Sequence, residues 1–179
     1  MSSNRKSGYS LSIESLENRE VTSTSGGVPD LAGLVLAFAE GHLGTQVGDG
    51  QCTSLAIQAL QSAGAQFDFG VWGSQANYVW GTPVLVALGH GRGGSAAMGS
   101  YAAVEPGDVV QFCNADFSGS GSAQMFPHHT AIIEAYLGNG KFSILQQNVN
   151  GDMTVQHAVI NFSQLRTGTV WVYQPVAQS

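Results

Sequence analysis

Charged side chains are scarce in this chain. Only 10% of its 179 residues are Asp, Glu, Lys or Arg, where an average soluble domain carries roughly 25%. That excludes a disordered polyelectrolyte and a coiled coil. Basic groups are scarcer still: beyond residue 27 only Arg92, Lys141 and Arg166 face nine carboxylates, which accounts for the whole net charge of −6. Such a surface cannot neutralise a row of phosphates, so nucleic acid is not an expected partner. With two cysteines, Cys52 and Cys113, there is no disulfide framework, and their spacing matches no zinc motif. No apolar run approaches the roughly 20 residues of a membrane span. The longest, 31–39, is broken by Gly33 and ends at Glu40. The segment after Lys6 is too polar for a classical secretory signal. The glycine-rich run 89–94 lacks the Lys-Ser/Thr of a phosphate loop.

What is present is enough apolar residue, 43% of the chain, for one core in a single domain of this length. Residues 1–27, with eight serines and balanced charge, are expected to form a flexible extension, leaving 28–179 as the folded domain. Asp30 precedes apolar residues at 31, 34, 35, 38 and 39, the spacing of an amphipathic helix that Gly41 and Gly44 end. A second helix is expected from Cys52 to Gly64, with Leu55, Ala56, Ala59, Leu60 and Ala63 on one face. Residues 65–104, mixing aromatics and glycines, are expected to be loop. Strands are expected over 108–113, 130–137, 141–147, 153–160 and 169–174, with a hairpin turn at Gly138-Asn-Gly140. Helices followed by antiparallel strands make an α+β fold.

Three places have residues suited to chemistry. Cys52 opens a helix, where backbone N–H groups and the helix dipole favour a thiolate; the alternative is a small buried hydrophobe. His128 and His129 stand at the start of an apolar strand and point to opposite faces; either has a structural alternative, and no spacing of carboxylates around the pair suits zinc. Strand alternation places Gln146, Asn148 and Asn150 on one face, from which an amide oxygen can accept an imidazole N–H and fix its tautomer.

In order along the chain, Gly48-Asp-Gly-Gln-Cys52-Thr-Ser-Leu-Ala, Pro106-Gly-Asp-Val-Val-Gln-Phe112, His129-Thr-Ala-Ile-Ile and Gln146-Gln-Asn148 resemble the CHAP family of cysteine amidohydrolases and peptidases. The resemblance spans residues 30–175 and implies a papain-like fold, with the N-terminal helices packed on an antiparallel sheet. It implies Cys52 as nucleophile, His129 as general base and then acid, and Asn148 or Gln146 as the group orienting the imidazole. Many CHAP domains have a glutamate where this chain has Gln146, so the Cys–His ion pair is expected to be weaker. The Cys52 N–H is the expected first oxyanion donor, with Gln46 or Gln51 supplying the second. Trp72, Tyr78 and Trp80 are cleft-wall candidates, with the core as their alternative. No cofactor or metal is expected, since only Asp49 is available where some relatives bind calcium. The implied substrate is an amide bond in peptidoglycan, acted on by a monomer outside the cell or in its envelope. A nonwall amide is a second possibility, and a noncatalytic peptide- or glycan-binding module with a degenerate site is the rival. Cys113 is expected to be buried and inert.

Overall fold

The computed structural model describes residues 30–70, 77–117 and 124–178; the expected extension over 1–27 and Trp72 lie outside them. Helix α1 spans Leu31–Gly41. The Asp30 carboxylate accepts the Gly33 N–H at 2.9 Å, satisfying one of the donors that a helix start leaves without a partner. Its buried stripe is Leu31, Val35 and Ala39, and Leu34 is half exposed, so the apolar face is narrower than the spacing suggested. Helix α2 spans Cys52–Ser62 and buries Leu55, Ala56, Ala59 and Leu60; Ala63, the fifth residue expected on its inner face, is buried at the C-cap just beyond it. It stops at Gly64, whose φ of +71° suits a residue without Cβ.

Seven antiparallel strands form one sheet: β1 (Thr82–Gly89), β2 (Gly94–Met98), β3 (Val109–Asp116), β4 (Met125–Gly138), β5 (Lys141–Gln146), β6 (Gln156–Asn161) and β7 (Thr167–Gln174), in the order β2-β1-β7-β3-β4-β5-β6. Residues 82–98, expected as loop, are thus a hairpin whose turn is the glycine-rich run: Gly89 pairs with Gly94, and the His90 N–H reaches the Gly93 carbonyl. Leu85 and Ala87 alternate into the core, a period-2 pattern that the flanking glycines had obscured. β6 begins three residues later than expected because Val155 pairs with residues 43–45 after α1 rather than with β5.

Apolar side chains leave the sheet on both faces. One face carries Val110, Phe112, Ile133, Phe142 and Val172; the other carries Val109, Ile132, Leu145 and Tyr173, which pack with both helices. The sheet curls over the first face. At Gly94 on β2 a Cβ would lie 2.2 Å from the carbonyl oxygen of Phe162, directly after β6, so the two ends of the sheet meet and enclose the phenylalanine core. Gly107 fastens α1 to the start of β3: its φ is +91°, and a Cβ there would lie 1.9 Å from the Ala32 carbonyl oxygen.

Candidate active site

Cys52 is the first residue of α2, and the loop before it is held from a distant strand. The buried Gln147 side chain donates to the Val47 carbonyl at 3.0 Å and to the Gln51 carbonyl at 2.6 Å. It also accepts the Val47 N–H at 3.1 Å. One amide thus adds to the loop's own turn, in which the Gly50 N–H bonds the Val47 carbonyl, and ties the start of the helix to the end of the strand. The Asp49 carboxylate accepts the Gln51 N–H and the Ser54 hydroxyl, and these bonds lower its pKa, the Ser54 hydroxyl most.

The cysteine meets the sheet where two strands part. Pairing of β4 with β5 reaches only as far as Ile132 with Leu145, and before that point Thr130 lines the same cleft as Cys52. Burial pushes the thiol above its ordinary value of 9.0, while the backbone of Thr130, Thr53 and Cys52 itself and the Thr130 side chain pull it back part of the way.

His129 precedes that threonine and leaves the opposite face of the strand. It is 5% exposed and stacks on Phe126 at 5.0 Å and on Phe112 at 6.0 Å between ring centres. Its Nε2 lies 2.9 Å from Gln146 Oε1. An amide oxygen only accepts, so Nε2 carries the hydrogen and Nδ1 keeps the lone pair, the tautomer a base needs. Burial lowers the ring's pKa from 6.5 to about 4, opposed by the Gln146 bond. Cysteine and histidine therefore rest as neutral thiol and neutral imidazole.

These groups line one cleft of about 330 Å³, together with Gln51, Thr53, Tyr78, Gln111, His128 and Asn148. Of the two amides that the sequence offered for the imidazole, Gln146 makes the bond. Asn148 instead donates to Gln51 Oε1 at 2.8 Å. The alternation argument fails here because β5 ends at Gln146, and Asn148 and Asn150 have φ near +60°. By occupying the Gln51 oxygen, Asn148 leaves the Gln51 NH₂ as that side chain's donor end. The other oxyanion candidate, Gln46, does not line this cleft and donates to the Gly48 carbonyl at 3.1 Å.

Trp80 is not a cleft wall. It is fully buried in the helix-side core, where its indole N–H is satisfied by Gln111 Oε1 at 3.1 Å. Cys113, expected to be buried, is half-buried and stands across from His128 in the β3–β4 register. Gln111, Thr130 and Gln147 escaped the sequence reading. Their signal, buried amide and hydroxyl groups on apolar strands, acquires meaning only once their distant partners are known. Among the described residues, no three His, Cys, Asp or Glu side chains come together as a metal site requires, and no helix is long and apolar enough to cross a membrane.

A cysteine at a helix start beside a strand histidine, on a curled antiparallel sheet, is the arrangement of a papain-like cysteine proteinase fold. The chain belongs to the AIM3/BBC1 cysteine proteinase-fold domain family, which matches residues 30–179. It is 29% identical over 148 residues to altered inheritance of mitochondria protein 3 of Debaryomyces hansenii, covering 79% of this chain and 15% of that protein's length. Among solved structures it is similar to PlyC, with a TM-score of 0.49 and 21% identity over 79% of this chain and 35% of that one. It is also similar to Ly7917, solved with the hydrolysis product of MDP, with a TM-score of 0.45 and 19% identity over 80% of this chain and 62% of that one.

Proposed function

We propose that the domain is a CHAP-type cysteine amide hydrolase, with Cys52 as nucleophile, His129 as general base and then acid, and Gln146 as the group that holds the imidazole. The observation that carries this reading is the shared cleft: a thiol at a helix start and a histidine whose tautomer leaves Nδ1 as base open on the same 330 Å³ space. The reaction starts from neutral groups. As the sulfur attacks an amide carbonyl, His129 takes the thiol proton, and it then gives that proton to the leaving amine as the thioester forms. Water, deprotonated by the same ring, cleaves the thioester. The Cys52 N–H and the Gln51 NH₂ supply the oxyanion donors, with Gln51 oriented by Asn148.

The substrate proposed for test is a peptidoglycan amide, which places the protein outside the cell or in its envelope, acting as a monomer. Mass spectrometry of products released from purified sacculi, with Cys52→Ala as control, tests it. Soluble muropeptides or stem peptides from the unaltered protein alone are the expected result; no release from several wall chemistries, with Cys52 still reactive, redirects the search to a nonwall amide. One feature favours a second reading, a peptide- or glycan-binding module: burial holds His129 far below its ordinary pKa, and the bond to the neutral Gln146 offsets only part of that. A thiol probe separates the two. A nucleophile labels at Cys52 faster than at Cys113 near neutral pH and loses that advantage in His129→Ala. Equal, slow labelling of both cysteines favours the binding module.

A further inference from the structure

The cleft continues past the histidines. A second cavity of about 170 Å³ opens beside it, and His128, His129 and Asn148 line both. Gln51, Cys52 and Thr53 line only the first, whereas Met125, Phe126, Pro127, Val149 and Asn150 line only the second. The histidines therefore mark the boundary, with the sulfur on one side and the second cavity on the other. That order has a mechanistic meaning. A carbonyl carbon attacked by sulfur sits in the first cavity, and the nitrogen it releases lies on the side from which His129 delivers the proton. Whatever is attached to that nitrogen extends past the histidine.

No Asp, Glu, Lys or Arg lines the second cavity. Its apolar wall includes Phe126, which stacks on His129 at 5.0 Å between ring centres, and Met125, which is 67% exposed. A charged side chain would lose water there without gaining an ionic partner, while an apolar one gains from burial. The volume of about 170 Å³ matches about five or six waters at about 30 Å³ each, enough for a leucine side chain and more than alanine fills. Asn148 commits its NH₂ to Gln51, so the end it offers a ligand is its oxygen, an acceptor for the N–H of the bond being cut. We infer that this cavity is the leaving-group subsite and that it selects an amide whose amine belongs to a residue with a bulky apolar side chain, rather than ammonia or the ε-amine of a lysine. The inference rests on the reading of Cys52 as nucleophile and His129 as proton donor, and it names the substrate class on the released side of the bond.

Aminolysis of the thioester tests the subsite, because an attacking amine enters by the path the leaving amine takes. In a Cys113→Ser background, p-nitrophenyl acetate acylates Cys52: the C–S bond forms, p-nitrophenolate leaves, and His129 takes the thiol proton. An amino-acid amide then attacks the acetyl thioester at about pH 8, near the α-amine pKa; the C–N bond forms, the C–S bond breaks, and the amine proton passes through His129 to sulfur. Mass spectrometry of the N-acetylated products from a mixture of L-leucinamide, L-alaninamide and L-lysinamide gives their relative capture. Leucinamide is expected to exceed the other two by about tenfold or more. Met125→Glu, at an exposed position, is expected to shift capture toward lysinamide and Met125→Lys further away from it, with circular dichroism as the check on folding. Capture that is absent, indifferent to the side chain, or unmoved by either charge at position 125 overturns the inference. Failure of the hydrolase reading appears separately, as a Cys52 that forms no acetyl thioester. Methyl NMR of the Cys52→Ala/Cys113→Ser protein then decides: saturable shifts at Met125 and Val149 with leucinamide but not with lysinamide support the apolar subsite, and shifts with neither or with both refute it.

Discussion

Replacing Gln146 by glutamate tests the electrostatic account of the site most directly. Burial lowers His129 from 6.5 to about 4, which corresponds to about 3 kcal/mol against the imidazolium. The group facing Nε2 at 2.9 Å is a neutral oxygen, which offers a cation only a dipole. A carboxylate there, with charge centres about 4 Å apart, would attract the imidazolium by about 4 kcal/mol at an effective dielectric constant of 20. Position 146 is only 4% exposed, so desolvating the new carboxylate takes back a large part, leaving a rise of about one to two pKa units. His129 in Gln146→Glu is then expected to titrate between about 5 and 6. Each unit raises the imidazolium–thiolate population tenfold, so Cys52 alkylation is expected to quicken on the acid side of neutrality, where that ion pair rather than direct ionisation of the thiol supplies the thiolate. The assay is iodoacetamide alkylation against pH in a Cys113→Ser background, with the His129 ring followed by NMR. If the ring still titrates near 4 in a folded variant, or alkylation does not quicken, the neutrality of Gln146 is not what keeps the pair uncharged.

Gln147→Ala removes three hydrogen bonds to loop 46–51 and leaves the Val47 N–H without a partner, while the Val47 carbonyl keeps the Gly50 N–H, so urea unfolding is expected to show a loss of about 2–4 kcal/mol; a loss below about 0.5 kcal/mol would mean that the loop holds its place unaided. Gly107→Ala forces a Cβ to 1.9 Å from the Ala32 carbonyl oxygen at a φ of +91°, and thermal unfolding is expected to report at least about 2 kcal/mol of destabilisation; an unchanged midpoint would show that α1 is not fastened there. Two buried groups oppose each other with pH. His129, lowered to about 4, makes the unfolded chain bind more protons, so stability falls as pH drops from 6.5 to 4; Asp108, raised by burial to about 7, makes the folded chain bind more, so stability falls as pH rises from about 4 to 7. Each slope is about 1.4 kcal/mol per pH unit, and Asp108→Asn, which removes one of them, is expected to lose stability on acidification from pH 6.5 to 4.5 more steeply than the unaltered protein. Parallel urea curves would refute that assignment.

Features set by neighbours in sequence were legible before the structure. Helix α2 is an example: its inner face and its stop at Gly64 are written within thirteen residues. The strands of the C-terminal half were legible too, to within a few residues at their ends. The β1–β2 hairpin was not, because its apolar stretch is short and sits between glycines that read as loop. Positions fixed by distant partners could not be read either. Trp80 stood as a cleft candidate with the core as its alternative, because nothing local shows that Gln111 satisfies its indole N–H inside the core. Gln147 looked like one more polar residue on a strand face until the loop 96–100 residues away along the chain came to rest against it. Choosing Gln146 over Asn148 depended on where β5 stops, and strand ends are the least determined part of a periodicity argument.

The low charge of the composition and the chemistry of the cleft have a common expression. Around Cys52 and His129 the polar contacts run through Gln51, Gln111, Gln146, Gln147, Asn148 and Thr130, none of which titrates in the physiological range. Amides fix direction by having one donor end and one acceptor end, and they bury at lower cost than ions because no net charge leaves water. The result is a site whose geometry is fixed by hydrogen-bond polarity and whose resting charge is near zero. Salt therefore has little to screen in the resting cleft, and the charge separation that hydrolysis requires arises only when a substrate carbonyl is seated against the thiol.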